Sequence, residues 1–261
     1  MVKLVQQSLG AQLLGEGCFF SDTPLFYLSP ITLDHSPRRG GVPVMFPQFA
    51  ERGILPKHGF IRNLAWQCIQ ETHNDQVYQS HYQIKISTEH CKDWPHQATL
   101  DLRVHFTATQ CEIELQILNT GHSAFIWTGG LHPYFYIDDL LSTHILGLHL
   151  VHCEDRFDNS IKYDADRSLQ LSGTVFERLY LSSPKLELIC HGQYLIIECS
   201  GFRQWMIWNP GAHSEGQLVD LPVGDWRHFV CIEPVIASHE SRLDPGKVFC
   251  GKLLISHLSK R

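Results

Sequence analysis

The chain has 261 residues, of which 43% are hydrophobic and 18% charged, and its formal net charge is −6. That composition can fill a large core and excludes a disordered chain, while the mildly acidic balance lacks the basic field that nucleic acid or an anionic membrane demands of a partner. No apolar run approaches the ~20 residues of a transmembrane helix, and no basic stretch followed by an apolar one opens the chain as a secretion signal would, so a soluble, cytoplasmic protein is expected.

In chain order, the first clean pattern is Tyr82-Gln83-Ile84-Lys85-Ile86, which alternates with a period of two. Leu100-Asp101-Leu102-Arg103-Val104-His105-Phe106 does the same, apolar residues on even numbers and polar ones on odd. This is a strand with one face in a core and one in water. Alternation resumes after a short polar break as Glu112-Ile113-Glu114-Leu115-Gln116-Ile117, which predicts an antiparallel hairpin, with the Tyr82 run pairing alongside. Further apolar runs follow at Leu186–Cys190, Leu195–Cys199, Trp205–Trp208, Phe229–Ile232 and Leu253–Ile255, with His191-Gly192-Gln193 as the turn between the first two. Glycines and prolines punctuate these runs closely, and no long amphipathic helix, repeat or linker interrupts them. One large antiparallel β-sandwich domain spanning 1–261 is the economical prediction.

The nine cysteines are odd in number and include no CxxC pair, so neither a disulfide framework nor a zinc ribbon is indicated. Neither GxGxxG nor a Walker sequence occurs, and no nucleotide or other cofactor is expected.

Three segments break the strand pattern. Arg38-Arg39-Gly40-Gly41-Val42-Pro43 is followed by Phe46-Pro47-Gln48-Phe49 and Pro56-Lys57-His58-Gly59-Phe60-Ile61-Arg62-Asn63; Gly129-Gly130-Leu131-His132-Pro133-Tyr134-Phe135 stands alone; Trp208-Asn209-Pro210 precedes Trp226-Arg227 and Cys231-Ile232-Glu233-Pro234. Glu233 ends an apolar run, where desolvation would raise its pKa toward the range of a general acid or base; a strand-end glutamate turned to solvent fits the same pattern. His132 beside aromatics reads as a proton donor or as a core histidine bonded to backbone, and His58 before Gly59 reaches from a turn into a cleft or into solvent. Arg39 and Arg62 suit an anion seat or surface ion pairs.

Together and in order, these segments resemble the hexose-6-phosphate mutarotases, the YeaD-like branch of the aldose 1-epimerase superfamily, whose members carry RGG-(I/V)-P, FPxFG, HG(F/L)ARN, an HTYF-like block, WNP and C-(I/V)-EP. Leu9-Gly10-Ala11-Gln12-Leu13-Leu14 is similar to the family's opening GA strand. Pro133, Ile61 and Ala50 depart from the pattern, where threonine, alanine and glycine are usual. The resemblance implies a galactose mutarotase-like supersandwich and interconversion of the anomers of a hexose 6-phosphate without cofactor or metal. It implies Glu233 as general base toward the anomeric hydroxyl, His132 as general acid toward the ring oxygen, His58 as a second histidine near that oxygen, and Arg39 and Arg62 as phosphate ligands. Asp158, in Arg156-Phe157-Asp158-Asn159, matches more poorly an acidic residue near the sugar hydroxyls. The implied partner is a small sugar phosphate, and a monomer is the default expectation for the chain.

The chemistry agrees with such a set. Mutarotation moves one proton off O1 and one onto O5, and each positioned acid or base contributes about 10²- to 10⁴-fold. Glycoside hydrolysis would want two carboxylates flanking the bond, and the matched blocks supply one. Three other readings remain open from sequence: a mutarotase of unphosphorylated aldoses, a non-catalytic carbohydrate-binding sandwich, and a metal-dependent β-barrel drawing on the many histidines, among which His132, His144, His149 and His152 are suggestive in number but match no ligand spacing.

Overall fold

The computed structural model describes all residues except 1–4, 21, 35, 159, 191–192 and 259–261. The predicted alternation becomes the spine of a nine-stranded antiparallel sheet. Its strands run in the order Ser168–Leu169, His144–Leu146, Leu186–Cys190, Gln193–Ser200, Val248–His257, Gln110–Asn119, Ala98–Thr107, Val77–Ile86 and Gln67–His73. Leu100, Leu102, Val104 and Phe106 are buried and sit opposite Ile117, Leu115, Ile113 and Cys111. Each such buried aliphatic side chain is worth about 1.5–3 kcal/mol, and a one-residue slip would turn the whole set to water. His191 and Gly192 of the expected turn lie outside the described residues, but the strands they join pair antiparallel, with Cys190 opposite Gln193.

Facing it is an eight-stranded antiparallel sheet, ordered Ile161–Tyr163, His152–Asp155, Phe176–Tyr180, Gln204–Asn209, Phe229–Leu243, Phe125–Leu131 and Val44–Met45, with Tyr134–Tyr136 also paired to the start of Phe229–Leu243. One apolar cluster joins the inner faces of both sheets, the arrangement of a β-sandwich. The helical segments among the described residues are single 3₁₀ turns of three or four residues.

Two expectations are corrected. The run Phe229–Ile232 is the opening of a 15-residue strand, so Glu233 lies inside a central strand rather than at its end. The segment Leu9–Leu14 is a turn rather than a strand: Gly10 and Ala11 both have positive φ, and only isolated bridges tie Leu9 to Ala65 and Leu13 to Val42.

Candidate active site

The register of the central strand creates the site. Strand Phe229–Leu243 pairs Val235 with Gly130 and Cys231 with Tyr134, and that register brings His132 opposite Glu233. Between these pairs the ladder is interrupted, at the step where Pro133 and Pro234 have no N–H to donate. Strand alternation then sends Cys231 and Glu233 to one face and Val230 and Ile232 to the other. On the next strand Met206 lies opposite Glu233 and Trp208 opposite Cys231, and Glu177 lies opposite Trp208 one strand further. The outer face of this sheet is the floor of a cavity of about 450 Å³ lined by His132, Tyr134, Glu177, Met206, Trp208 and Glu233. Gly130 permits the close approach of the strands, because a Cβ there would stand 2.2 Å from the Pro234 carbonyl oxygen.

His132 and Glu233 are both buried, with Nε2 3.4 Å from Oε1. The imidazole stacks on Tyr134 at 4.8 Å and meets Trp208 edge-on. His132 Nδ1 and Glu233 Oε2 have no hydrogen-bond partner among the described residues. Burial, reinforced by Glu177, pushes the Glu233 carboxyl well above the usual carboxylate range. Burial, together with His58, Arg62 and Arg39, pushes the His132 imidazole well below its ordinary value. Both shifts favour the uncharged pair, with one proton between the two side chains carried by the carboxyl.

The rim comes from loops. Gln48, buried, donates to the Leu55 carbonyl and accepts from its amide, both at 2.9 Å, and so closes the segment that delivers His58. His58 sits at φ +66° and Gly59 at +72°, where a Cβ on Gly59 would stand 2.1 Å from the Phe46 carbonyl oxygen. The Ala50 amide donates to His58 Nδ1 at 3.2 Å, which leaves the ring proton on Nε2. Burial and the Arg62 and Lys57 charges push His58 down to about 3, so it is a neutral donor. Ala50, where the resemblance leads one to expect glycine, itself adopts φ +48°.

Arg39, Arg62 and Lys57 line the same cavity. Arg39 donates to Asp220 at 2.9 Å and to the Tyr134 hydroxyl at 3.3 Å. Arg62 donates to the Lys57 carbonyl oxygen at 3.2 Å, and no carboxylate pairs with it among the described residues. It is a half-buried guanidinium that the Asp220 charge reaches but that forms no ion pair among the described residues.

These features agree with the comparisons of the whole chain. Residues 20–256 match the family described as aldose 1-epimerase. The chain belongs to the aldose 1-epimerase family. Within it, the chain is 32% identical over 212 residues to a Salmonella typhimurium protein named "Putative glucose-6-phosphate 1-epimerase", covering 77% of this chain and 68% of that one. An Escherichia coli protein of the same name is 31% identical over 221 residues, covering 80% of this chain and 71% of that one. The crystal structure of "a putative mutarotase (YeaD)" from Salmonella typhimurium superimposes with a TM-score of 0.83 at 26% identity, covering 97% of this chain and 85% of that one.

Five of the six site residues expected from sequence thus line one cavity of this aldose 1-epimerase: Arg39, His58, Arg62, His132 and Glu233. Asp158 does not. It is exposed, bonded to Ser160 and Lys162, and lines a separate depression. The neighbour that reaches the cavity is Arg156, whose guanidinium donates to both oxygens of Glu177 at 2.9 Å. Glu177 and Asp220 are the cavity carboxylates that sequence reasoning missed. Glu177 occupies an alternating position in Phe176-Glu177-Arg178-Leu179-Tyr180, where a charged residue reads as a solvated face; Asp220 lies in a loop with no local pattern.

Proposed function

We propose that this aldose 1-epimerase interconverts the α and β anomers of a hexose 6-phosphate. The observation that carries the reading is the buried His132–Glu233 pair at 3.4 Å in a cavity whose rim holds the unpaired Arg62 guanidinium. In the reactive form the shared proton sits on His132. The Glu233 carboxylate takes the proton from O1 while His132 gives its proton to O5; the C1–O5 bond breaks, and C1 and O1 become an aldehyde. After rotation about C1–C2, the ring oxygen attacks the other face, its proton returning to His132 and the Glu233 proton to O1. The pair holds one proton before and after, so the cycle exchanges none with solvent. It moves from resting to reactive form by one transfer between neighbouring side chains.

The remaining residues fall into roles about this centre. His58, neutral with Nε2–H free, donates to O5 or its neighbour. Trp208 and Tyr134 supply apolar faces for the pyranose. Arg62, with Lys57 and the Asp220-tethered Arg39, holds the phosphate by charge-assisted hydrogen bonds. Glu177, fixed by Arg156, accepts from sugar hydroxyls, the part that Asp158 was expected to play. Pro133 is accommodated because the ladder is already open where its N–H is missing.

The cavity is complete within one chain, consistent with a monomer, and the cysteines are free thiols, as a reducing cytoplasm keeps them. Anomer-exchange NMR on glucose 6-phosphate and on free glucose tests the reading. Accelerated exchange of the phosphorylated sugar is expected, with weaker action on the free one. Saturable binding of both without acceleration would instead select a carbohydrate-binding module.

A further inference from the structure

Beneath the proton-transfer pair lies a group that the mechanism leaves unused. Cys231 is two residues from Glu233 on the same strand face and fully buried. One ligand atom from each of His132, Cys231 and Glu233 lies within 4.8 Å of the others. We infer that these three side chains form a site for a borderline divalent cation, zinc above all, whose occupation reversibly blocks the enzyme.

The geometry fits the ion. Tetrahedral zinc, with bonds of about 2.0–2.1 Å to nitrogen and oxygen, separates those two ligand atoms by about 3.4 Å, and His132 Nε2 to Glu233 Oε1 is 3.4 Å. A zinc–thiolate bond of about 2.3 Å asks for a sulfur about 3.5 Å from each of them, so the sulfur need close by little more than an ångström from the upper bound. The donor set of imidazole, thiolate and carboxylate suits zinc, whereas magnesium and calcium seek oxygen alone. Glu233 Oε2, buried and without a hydrogen-bond partner among the described residues, gains a cation beside its carboxylate.

Charge and protons balance. Zinc enters as a dication; the Cys231 thiol and the His132–Glu233 pair each release one proton; the occupied site is neutral, as a buried site favours. His58 does not join, because its Nδ1 lone pair accepts the Ala50 amide and its Nε2 carries the proton. His132 and Glu233 line the cavity, so water or a sugar oxygen from that side would supply a fourth ligand. Zinc holds the lone pairs of Glu233 and His132 that transfer the protons, so exchange stops. The block, though not the binding, rests on the mutarotase reading.

Cobalt(II) and zinc test this on the whole chain. Cobalt should bind at one equivalent with a thiolate-to-cobalt charge-transfer band, absent from Cys231→Ser and Cys231→Ala but retained when the exposed Cys68 and Cys250 are both changed to serine. Losing even an outer partner of a metal ligand costs about 10–100-fold in affinity, so with the thiolate ligand itself gone zinc inhibition of exchange should weaken at least about tenfold in Cys231→Ser, whose metal-free rate stays near that of the parent. EDTA should restore the inhibited parent, and magnesium should not inhibit. A band that survives both Cys231 variants overturns the site. Cobalt bound through Cys231 with exchange undiminished overturns the block. A chain with no exchange activity at all would fail the mutarotase reading, and the cobalt band would still decide the site.

Discussion

The floor and the rim of the cavity are built on opposite principles. The floor is strand: His132 and Glu233 sit in register at the centre of a sheet, and burial strips both of charge until they share one proton. The rim is loop: Arg39 and Lys57 come from bends and turns, and Arg62 from the single 3₁₀ turn Ile61–Asn63. Position to a fraction of an ångström and a shared proton suit bond-making, and a rigid sheet with excluded water supplies both. A phosphate needs charge more than precision, and loops suffice for it. The floor should therefore govern turnover of any aldose, and the rim should govern only phosphorylated ones.

The sharpest break in that contrast comes from the floor. Glu233→Gln keeps shape and hydrogen bonding but removes the base, and anomer exchange should fall about 10²- to 10⁴-fold for phosphorylated and free hexose alike. Polarimetry on both sugars checks this; a loss confined to the phosphorylated sugar would put Glu233 in the rim's role.

At the rim, Arg62→Ala should act in the opposite sense. A hydrogen bond to a charged group is worth about 1.5–3 kcal/mol, so kcat/KM for hexose 6-phosphate should drop roughly 10- to 150-fold while free hexose is spared. Arg39→Ala should cost less, because Arg39 already spends one donor on Asp220. Equal losses for both sugars would remove the phosphate from this end of the cavity.

Stability against pH separates the two regions again. The native chain keeps the Glu233 proton above the ordinary 4.5 at which the unfolded chain loses it, so stability should fall by ~1.4 kcal/mol per unit as pH rises. His58, held near 3, and His132 act in reverse below their ordinary 6.5: the unfolded chain binds protons the native one refuses, and stability falls as pH drops. Glu233→Gln should flatten the fall in stability on the alkaline side of 4.5, and the two histidines set the fall on the acid side of 6.5. Urea denaturation on either side reads both; an unchanged alkaline fall in the variant would mean the native carboxyl is ionised.

How much of this was legible in the sequence follows the same division. Strands wet on one face announced themselves, as Ala98–Thr107 and Gln110–Asn119 did, because water enforces alternation. The central strand did not. Covered on both faces through Ala237, it reads as an apolar run with a glutamate and a proline after it, which looks like an ending. The edge strands Val44–Met45 and Ser168–Leu169 are too short for any period to show. The rim residues were legible through motif wording alone, since no period governs a turn. That His132 and Glu233 meet depends on a register between segments about a hundred residues apart, which no local pattern carries.

Two carboxylates make the finest test of floor against surface. Glu177 shares the sheet face with Glu233 and is clamped by Arg156, so Glu177→Gln should raise KM several-fold for both sugars, in keeping with a neutral hydrogen bond of about 1 kcal/mol replacing a charged one. Removing its charge should also ease the upward push on Glu233 and shift the alkaline limb of the rate profile toward lower pH. Among the described residues Asp158 bonds only Ser160 and Lys162 on the exposed side, and Asp158→Asn should leave both kinetic constants unchanged and stability within about 0.5 kcal/mol. If the asparagine variant lost affinity for hexose and the glutamine variant did not, the sugar would have to lie outside the cavity floor, and Glu233 could not be the base that opens its ring.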